Sequence, residues 1–193
     1  LYKFCVMNWT SYLEYFDHVL QHAAQTPPYD QEDYLHYAQL NHARMKRWIK
    51  QGSLTTATKQ ALSTIDRPQR WILITEPWCG DAAHIVPFIE KMSAENPLIT
   101  LEIQLRDSDS EIDRYLTNGG KAIPKLIIRD EAGKDIAVWG PRPQACQELF
   151  IALKESGQDF EQQKIALQKW YNEDKGMAIQ EEVSALATCV ECK

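Results

Sequence analysis

The chain has 193 residues, of which 44 % are apolar, 25 % charged and 10 % aromatic. This composition is typical of one globular domain with a full hydrophobic core, and eight glycines with nine prolines leave no collagenous or low-complexity tract. The apolar runs are too short to cross a bilayer, so no membrane span is expected. The net charge is −6 and the basic residues are scattered, so nucleic acid is not an expected main partner.

The cysteines are considered as individual thiols. Five of them are too few and too unevenly spaced for a disulfide scaffold in a chain of this length. Cys146 is expected to be buried, because a free cysteine behaves as a small hydrophobe, and Cys5 lies in an unassigned terminus. We expect a cytoplasmic protein. Because the sequence starts at Leu1, a signal peptide that has been removed is kept as an alternative.

The first third of the chain is predicted to be helical. Apolar residues at helical spacing from Trp9 to Leu20 form one face, and a second, longer series ends at Gly52. Ser53 is the expected N-cap of a third helix, and Pro68 lies just past its end. We therefore assign residues 1–66 to an N-terminal helical extension.

From residue 67 onward the pattern alternates between strands and helices. The predicted elements are a strand at 71–75, a helix at 82–96, a strand at 99–105, a short helix from 109 or 110 to 116, strands at 125–129 and 135–139, and a helix ending by 157. One crossover gives a parallel pair and the last two strands give an antiparallel hairpin, so a mixed sheet with helices on both faces is expected. Residues 158–193 carry two more helical patterns and are expected to pack on this 67–157 domain.

Four features of the central region resemble the thioredoxin superfamily. They are the turn Trp78-Cys79-Gly80 between a buried strand and a helix, Pro87 in that helix, the pair Ile123-Pro124 before a strand, and Gly140 after the last strand. The chain is also similar to a bacterial branch of thioredoxin-like proteins that has an N-terminal helical extension and the segments W-C-G-D, N-G-G-x-x-I-P-K and W-G-P-R-P.

The resemblance implies an α/β thioredoxin-like fold and a thiol site. It implies that a cis peptide bond precedes Pro124, which would lie beside Cys79 and present the backbone of Ile123 to an extended substrate. Two departures affect the chemistry. Ala82 stands where a dithiol enzyme has its second cysteine, and Leu73 stands where thioredoxins commonly bury an aspartate. Both losses concern the resolution of a mixed disulfide, so a monothiol C-G-D-A site is expected.

Two opposing effects act on the Cys79 thiol in this prediction. Amides of Asp81 and Ala82 at a helix N-terminus would favour the thiolate by about 0.3 to 1 kcal/mol. The charge of Asp81, at about 5 Å, would oppose it by roughly 0.8 to 1.7 kcal/mol. The two effects nearly cancel, so a moderately reactive Cys79 is expected rather than a strongly acidic one.

Other thiols and imidazoles have weaker signals. A flexible tail could carry Cys189 or Cys192 to Cys79 as a resolving thiol, and the alternative is that both are ordinary residues at a frayed terminus. This single C-x-x-C is weak evidence for zinc. His84 lies more than one helical turn beyond Cys79 and is not expected to be a catalytic base.

The leading hypothesis is a monothiol thiol-disulfide oxidoreductase whose nucleophile, Cys79, attacks a protein disulfide or a glutathione mixed disulfide. The residues expected to shape the substrate groove are Trp78, Gly80, Asp81, Ile123 and Pro124. The alternative is a redox-inactive module that holds an extended peptide in the same groove. A third, weaker hypothesis is an iron–sulfur cluster bound through Cys79 with glutathione in a dimer. Apart from glutathione as a co-substrate, no cofactor and no metal are expected.

Overall fold

A computed structural model describes residues 6–189 of the chain. Its helices and strands, in chain order, are α1 (Trp9–Gln21), α2 (Glu32–Gln51), α3 (Thr56–Ser63), β1 (Gln69–Thr75), α4 (Ala82–Ala94), β2 (Ile99–Leu105), β3 (Lys125–Asp130), β4 (Asp135–Trp139), α5 (Gln144–Glu155), α6 (Phe160–Asp174) and α7 (Met177–Ala187). None of the helices within residues 6–189 is long and apolar enough to cross a membrane.

The strands form one mixed sheet in the order β2-β1-β3-β4. Strand β1 is parallel to β2 and antiparallel to β3, and β3 pairs antiparallel with β4. Met7 adds an antiparallel bridge to Ile103 at the outer edge of β2. The predicted mixed sheet is therefore confirmed. The carboxyl end of β1 leads directly into the turn that contains Cys79.

Strand β1, one of the two inner strands, is buried on both faces. In β1 only Arg70 is exposed, because this run of apolar and β-branched side chains is covered by helices on either side. Helix α4 packs against α2, α3 and α7 as well as β2, and its interior proline, Pro87, is buried. Nearly all of α4 is therefore core, which fixes the position of its N-terminus at the end of β1.

The terminal helices share this core. The inward face of α1 consists of Tyr12, Phe16 and Val19, as its helical period predicts. One hydrophobic cluster joins Phe16 of α1, Ile74 of β1 and Val183 of α7. Side chains from all three predicted segments thus pack together, while the boundaries after residues 66 and 157 stay a prediction.

The start of α3 differs from the prediction. The N-cap is Thr55, whose Oγ1 accepts a hydrogen bond from Thr58 N at 3.0 Å, and not Ser53. Gln180, fully buried in α7, explains the difference: its Oε1 accepts from Thr55 N at 2.8 Å and its Nε2 donates to Ser53 O at 3.3 Å. These bonds from a helix remote in sequence hold residues 53–55 extended, so the helix begins two residues later.

The short helix predicted after β2 is a single 3-10 turn, Glu111–Arg114. Ser110, one of the two predicted starting residues, is its N-cap, and its side chain accepts a hydrogen bond from Ile112 N. The buried guanidinium of Arg129 on β3 binds Glu111 from the other side, with Nη2 2.8 Å from Oε2. This ion pair ties the turn to the β3–β4 hairpin.

Candidate functional site

Cys79 lies in a turn between the end of β1 and the start of α4. Its amide donates to Glu76 O at 3.1 Å, and its side chain is only 6 % exposed. The thiol donates to the carbonyl oxygen of Ile123, with Sγ 3.5 Å from it. The Ile123–Pro124 peptide bond is cis, so the predicted bond and the predicted position of this segment beside Cys79 are confirmed. The carbonyl of Ile123 faces the thiol directly.

The Cys79 thiol is much less acidic than predicted. Its pKa is raised to about 12, chiefly by burial and then by the carboxylate of Asp81, and the amides of Ala82 and Asp81 and the guanidinium of Arg142 offset only part of this rise. The helix amides and the Asp81 charge act in the predicted directions. The predicted near-cancellation is wrong because it left out the cost of removing a thiolate from water. In this conformation Cys79 is a protonated thiol at neutral pH.

Asp81 is held by two side chains that the sequence interpretation did not assign to the site. Arg142 Nη2 lies 2.8 Å from Asp81 Oδ2, and Tyr171 OH donates to Oδ1 at 2.9 Å. Burial raises the pKa of Asp81, and the Arg142 guanidinium partly offsets this. Asp81 therefore joins the start of α4 to the segment after β4 and to α6, in addition to its effect on the thiol.

Trp78 and Gly80 lie on either side of Cys79 in the wall of the site. The Arg106 guanidinium stacks over the Trp78 ring at 4.5 Å, and Tyr34 meets the ring edge-on with centroids 5.8 Å apart. Gly80 lies near α6, since a Cβ there would be 3.7 Å from Gln168 Nε2. Trp78 is thus fixed between the N-terminal extension and the loop after β2.

A cavity of about 950 Å³ opens beside Cys79. Its walls come from α2, the turn around Cys79, residues 121–123, Arg142 and α6. Lys164 on α6 donates to the hydroxyl of Tyr37 on α2, which links the two helices across the rim. The volume lies within the range of small-molecule sites. Of the five predicted groove residues, Trp78, Gly80, Asp81 and Ile123 line this cavity together with Cys79, whereas Pro124 is buried and does not line it.

Glu76 is a buried carboxyl that the sequence interpretation did not single out. Tyr29 OH donates to its Oε2 at 3.3 Å and Asp107 N donates to its Oε1 at 3.0 Å. Burial raises its pKa to about 7, and these two hydrogen bonds and the Arg106 charge only partly offset that effect. The carboxyl therefore changes charge near neutral pH, three residues before Cys79.

We expect Glu76→Gln to raise the free energy of unfolding at pH 8 by roughly 3 kcal/mol. The folded state raises the pKa of Glu76 from 4.5 to about 7. Between these two pH values the folded state binds more protons than the unfolded state, so stability falls as pH rises through this window. Glutamine stays neutral and keeps an oxygen for the Asp107 amide.

Urea unfolding at pH 5 and pH 8 measures this effect. The advantage of Glu76→Gln over the wild type should be large at pH 8 and small at pH 5. Glu131→Gln, at an exposed position in the β3–β4 turn, is the control and should show no such dependence. A Glu76→Gln protein less stable than the wild type at pH 8 would refute the assignment of a costly buried charge.

His84 and Cys146 are buried, and neither lines the cavity beside Cys79. Trp48 Nε1 donates to His84 Nδ1 at 2.8 Å, and His84 Nε2 lies 2.6 Å from Gln168 Oε1. Burial lowers the pKa of His84 to about 4, and its ring stacks on Tyr171. Cys146 is fully buried, as predicted, and burial raises its pKa to about 12.

The structure does not bring Cys189 to Cys79. Gln69 Nε2 at the start of β1 donates to Ala187 O at 2.9 Å, so the end of α7 lies at the opposite end of β1 from Cys79. A seven-residue strand is about 20 Å long, whereas a disulfide requires Cα atoms within about 7 Å. Cys192 lies outside the described residues, as does Cys5. A resolving role for Cys189 or Cys192 stays a prediction that requires the tail to leave this position.

The mixed sheet, the buried cysteine at the N-terminus of α4 and the adjacent cis-proline segment define a thioredoxin-like α/β protein. A sequence profile of the family described as thioredoxin matches residues 28–158. This is more than half of the chain, and the chain belongs to that family.

Two solved structures share the fold. One is a protein of unknown function from Pseudomonas aeruginosa, with 22 % identity and a TM-score of 0.55, covering 77 % of this chain and 82 % of that chain. The other is an HIV epitope scaffold, with 20 % identity and a TM-score of 0.56, covering 91 % of this chain and 96 % of that chain. At such identities the likeness concerns the fold alone. No curated protein matches the sequence.

Proposed function

We propose that the protein is a monothiol thiol-disulfide oxidoreductase of a bacterial thioredoxin-like branch, with Cys79 as its nucleophile. The observation that carries the proposal is the position of Cys79. The thiol lines a cavity of about 950 Å³, and the first amides of α4 and the Arg142 guanidinium favour its ionised form. Ala82 occupies the first turn of α4 at the position of a second active-site cysteine, so the adduct formed on Cys79 would be resolved by a thiol from outside this turn.

The exchange on a glutathione mixed disulfide has two steps. The Cys79 thiolate attacks the glutathionyl sulfur, the substrate sulfur leaves as a thiolate and takes up a proton, and Cys79 carries glutathione as a disulfide. The thiolate of a second glutathione then attacks the glutathionyl sulfur of this adduct, which releases oxidised glutathione and restores Cys79. One glutathione mixed disulfide and one glutathione become one substrate thiol and one oxidised glutathione. A protein disulfide would follow the same first step.

The ionisation of Cys79 would limit this reaction. Burial and Asp81 hold the proton on the thiol, so attack requires that water or a bound substrate in the cavity, together with the helix amides, stabilise the thiolate. A monothiol site of this kind is expected to react slowly at neutral pH and faster as pH rises.

The test follows the deglutathionylation of a glutathionylated peptide in the presence of reduced glutathione. The wild type should accelerate the reaction, and Cys79→Ser should return it to the uncatalysed rate. Cys146→Ser is the control, because Cys146 is a fully buried cysteine outside the cavity lining. A wild type without acceleration, or a Cys79→Ser protein as fast as the wild type, would contradict the proposal.

One observation favours the alternative of a redox-inactive binding module. Cys79 is buried with its pKa raised to about 12, as suits a structural thiol. The alternative predicts that Cys79→Ser leaves peptide binding unchanged while no exchange is seen in either protein.

A further inference from the structure

The cavity wall contains an arginine that forms no ion pair with any carboxylate of residues 6–189. Arg106 pairs with Asp107 and Arg142 pairs with Asp81, and the cavity lysines have acidic partners as well, namely Lys121 with Asp113, Lys164 with Glu161 and Lys169 with Glu173. Arg44 of α2 also lines the cavity. Among the described residues, no carboxylate forms an ion pair with it.

Arg44 is held in place by neutral groups. Its Nη1 donates to Asn41 Oδ1 at 2.9 Å, and Asn41 Nδ2 donates to Pro77 O at 3.0 Å. Pro77 lies two residues before Cys79, so this chain of hydrogen bonds couples the guanidinium to the turn that carries the thiol. Nη1 is the only nitrogen of Arg44 with an acceptor within the described part of the chain, and the rest of the guanidinium fork remains available.

A second arginine on the same helix strengthens the positive charge. Arg47 Nη2 donates to Asn172, another cavity residue, at 2.5 Å, and its guanidinium stacks over Trp48 at 4.5 Å. Within residues 6–189 no carboxylate forms an ion pair with it either, and its Nε is buried without an acceptor. Partial burial and the neighbouring Arg47 charge disfavour the charged form of Arg44 and lower its pKa. An anion bound here would offset both effects, because it would stabilise the charged guanidinium of Arg44.

We propose that Arg44 is the anion-binding residue of the cavity, and that the ligand is a small thiol or disulfide carrying a carboxylate, bound with that carboxylate on the Arg44 guanidinium. A planar guanidinium binds a carboxylate through paired hydrogen bonds. The cavity volume of about 950 Å³ matches a small molecule, and Cys79 and Arg44 line the same space. The inference rests on the proposed function for its choice of a sulfur-bearing ligand, and it selects small disulfides over protein disulfides.

The experiment measures binding without chemistry. S-methylglutathione, which cannot exchange disulfides, is titrated into the full-length protein by calorimetry, and its dimethyl ester, which lacks the carboxylates, serves as the second ligand. We expect S-methylglutathione to bind the wild type and Arg44→Gln to weaken binding about tenfold, as for the loss of a charged hydrogen-bonded pair. Arg70→Gln, which removes an arginine of β1 outside the cavity lining, should leave binding unchanged. The ester should bind weakly and equally to wild type and Arg44→Gln.

Circular dichroism and thermal unfolding establish that Arg44→Gln is folded, and Arg44→Lys provides a second variant that keeps the charge but loses the fork. No binding of S-methylglutathione to the wild type, or equal binding to wild type and Arg44→Gln, would overturn the inference. Its failure is distinct from that of the proposed function. If Cys79 exchanges disulfides and Arg44→Gln leaves the KM unaltered, only the anion site is rejected. If binding depends on Arg44 but no exchange occurs, only the oxidoreductase activity is rejected.

Discussion

Gly140→Ala is expected to lower the free energy of unfolding by about 3 to 5 kcal/mol. Gly140 has a φ of 109°, which side-chain-bearing residues rarely adopt, and a Cβ at this position would lie 2.3 Å from the carbonyl oxygen of Pro124. Because that oxygen belongs to the main chain, it cannot rotate away. The Ile123-Pro124 segment would have to move, and the Ile123 carbonyl, which accepts a hydrogen bond from the Cys79 thiol, would move with it. Chemical denaturation monitored by tryptophan fluorescence measures the loss.

Gly133→Ala is the matched control. Gly133 also has a positive φ, 83°, but no atom lies within 4 Å of a Cβ built there. Only the cost of the left-handed backbone remains, about 1 kcal/mol. If both alanine variants lost a similarly small free energy of unfolding, the chain at Gly140 and Pro124 could separate at little cost and the predicted clash would be refuted.

Asp81→Asn is expected to lower the pKa of Cys79 and to accelerate its alkylation at pH 8 about tenfold or more. After burial, the Asp81 carboxylate is the largest cause that raises this pKa, while the Arg142 guanidinium lowers it. Asparagine removes the negative charge, keeps an oxygen for the Tyr171 hydroxyl and leaves the Arg142 charge unbalanced. The thiolate is therefore favoured by two changes of the same sign.

The measurement is the pH dependence of Cys79 alkylation by iodoacetamide, read site by site by mass spectrometry. The midpoint should shift to lower pH in Asp81→Asn. Asp17→Asn, which removes an exposed carboxylate on α1, should leave the profile unchanged. An unchanged or higher midpoint in Asp81→Asn would mean that the charge of Asp81 does not control the thiol.

The fold was predictable because its signals are local. The apolar run of β1 and the helical periods of α1 and α2 each depend on neighbouring residues, and the structure contains these elements. The start of α3 was not predictable in this way. Its cap is decided by Gln180, more than a hundred residues away, which holds Thr55 and Ser53 in an extended segment.

The site was predictable only in part. The residues of the turn and the Ile123-Pro124 pair are adjacent in sequence to recognisable elements, so their proximity could be expected. The surroundings of Cys79 include α2 and α6, which lie far from it in the chain and line the same cavity. Arg142 belongs to the W-G-P-R-P segment, but its ion pair with Asp81 is visible only in the folded structure, because the two residues are far apart in the sequence. Arg44 and Glu76 belong to no sequence motif. Glu76 is distinguished by its burial, and Arg44 by having no ion-pair partner in the described part of the chain.

The role of Cys79 as a nucleophile is tested most directly by a map of adducts after equilibration in a glutathione redox buffer. The protein is equilibrated with reduced and oxidised glutathione, trapped with acid, and all five cysteines are followed by mass spectrometry. We expect a glutathione adduct on Cys79, formed faster at higher pH. A Cys79 that stays unmodified while the other thiols react would contradict it and would favour a binding module that has kept the fold without the exchange.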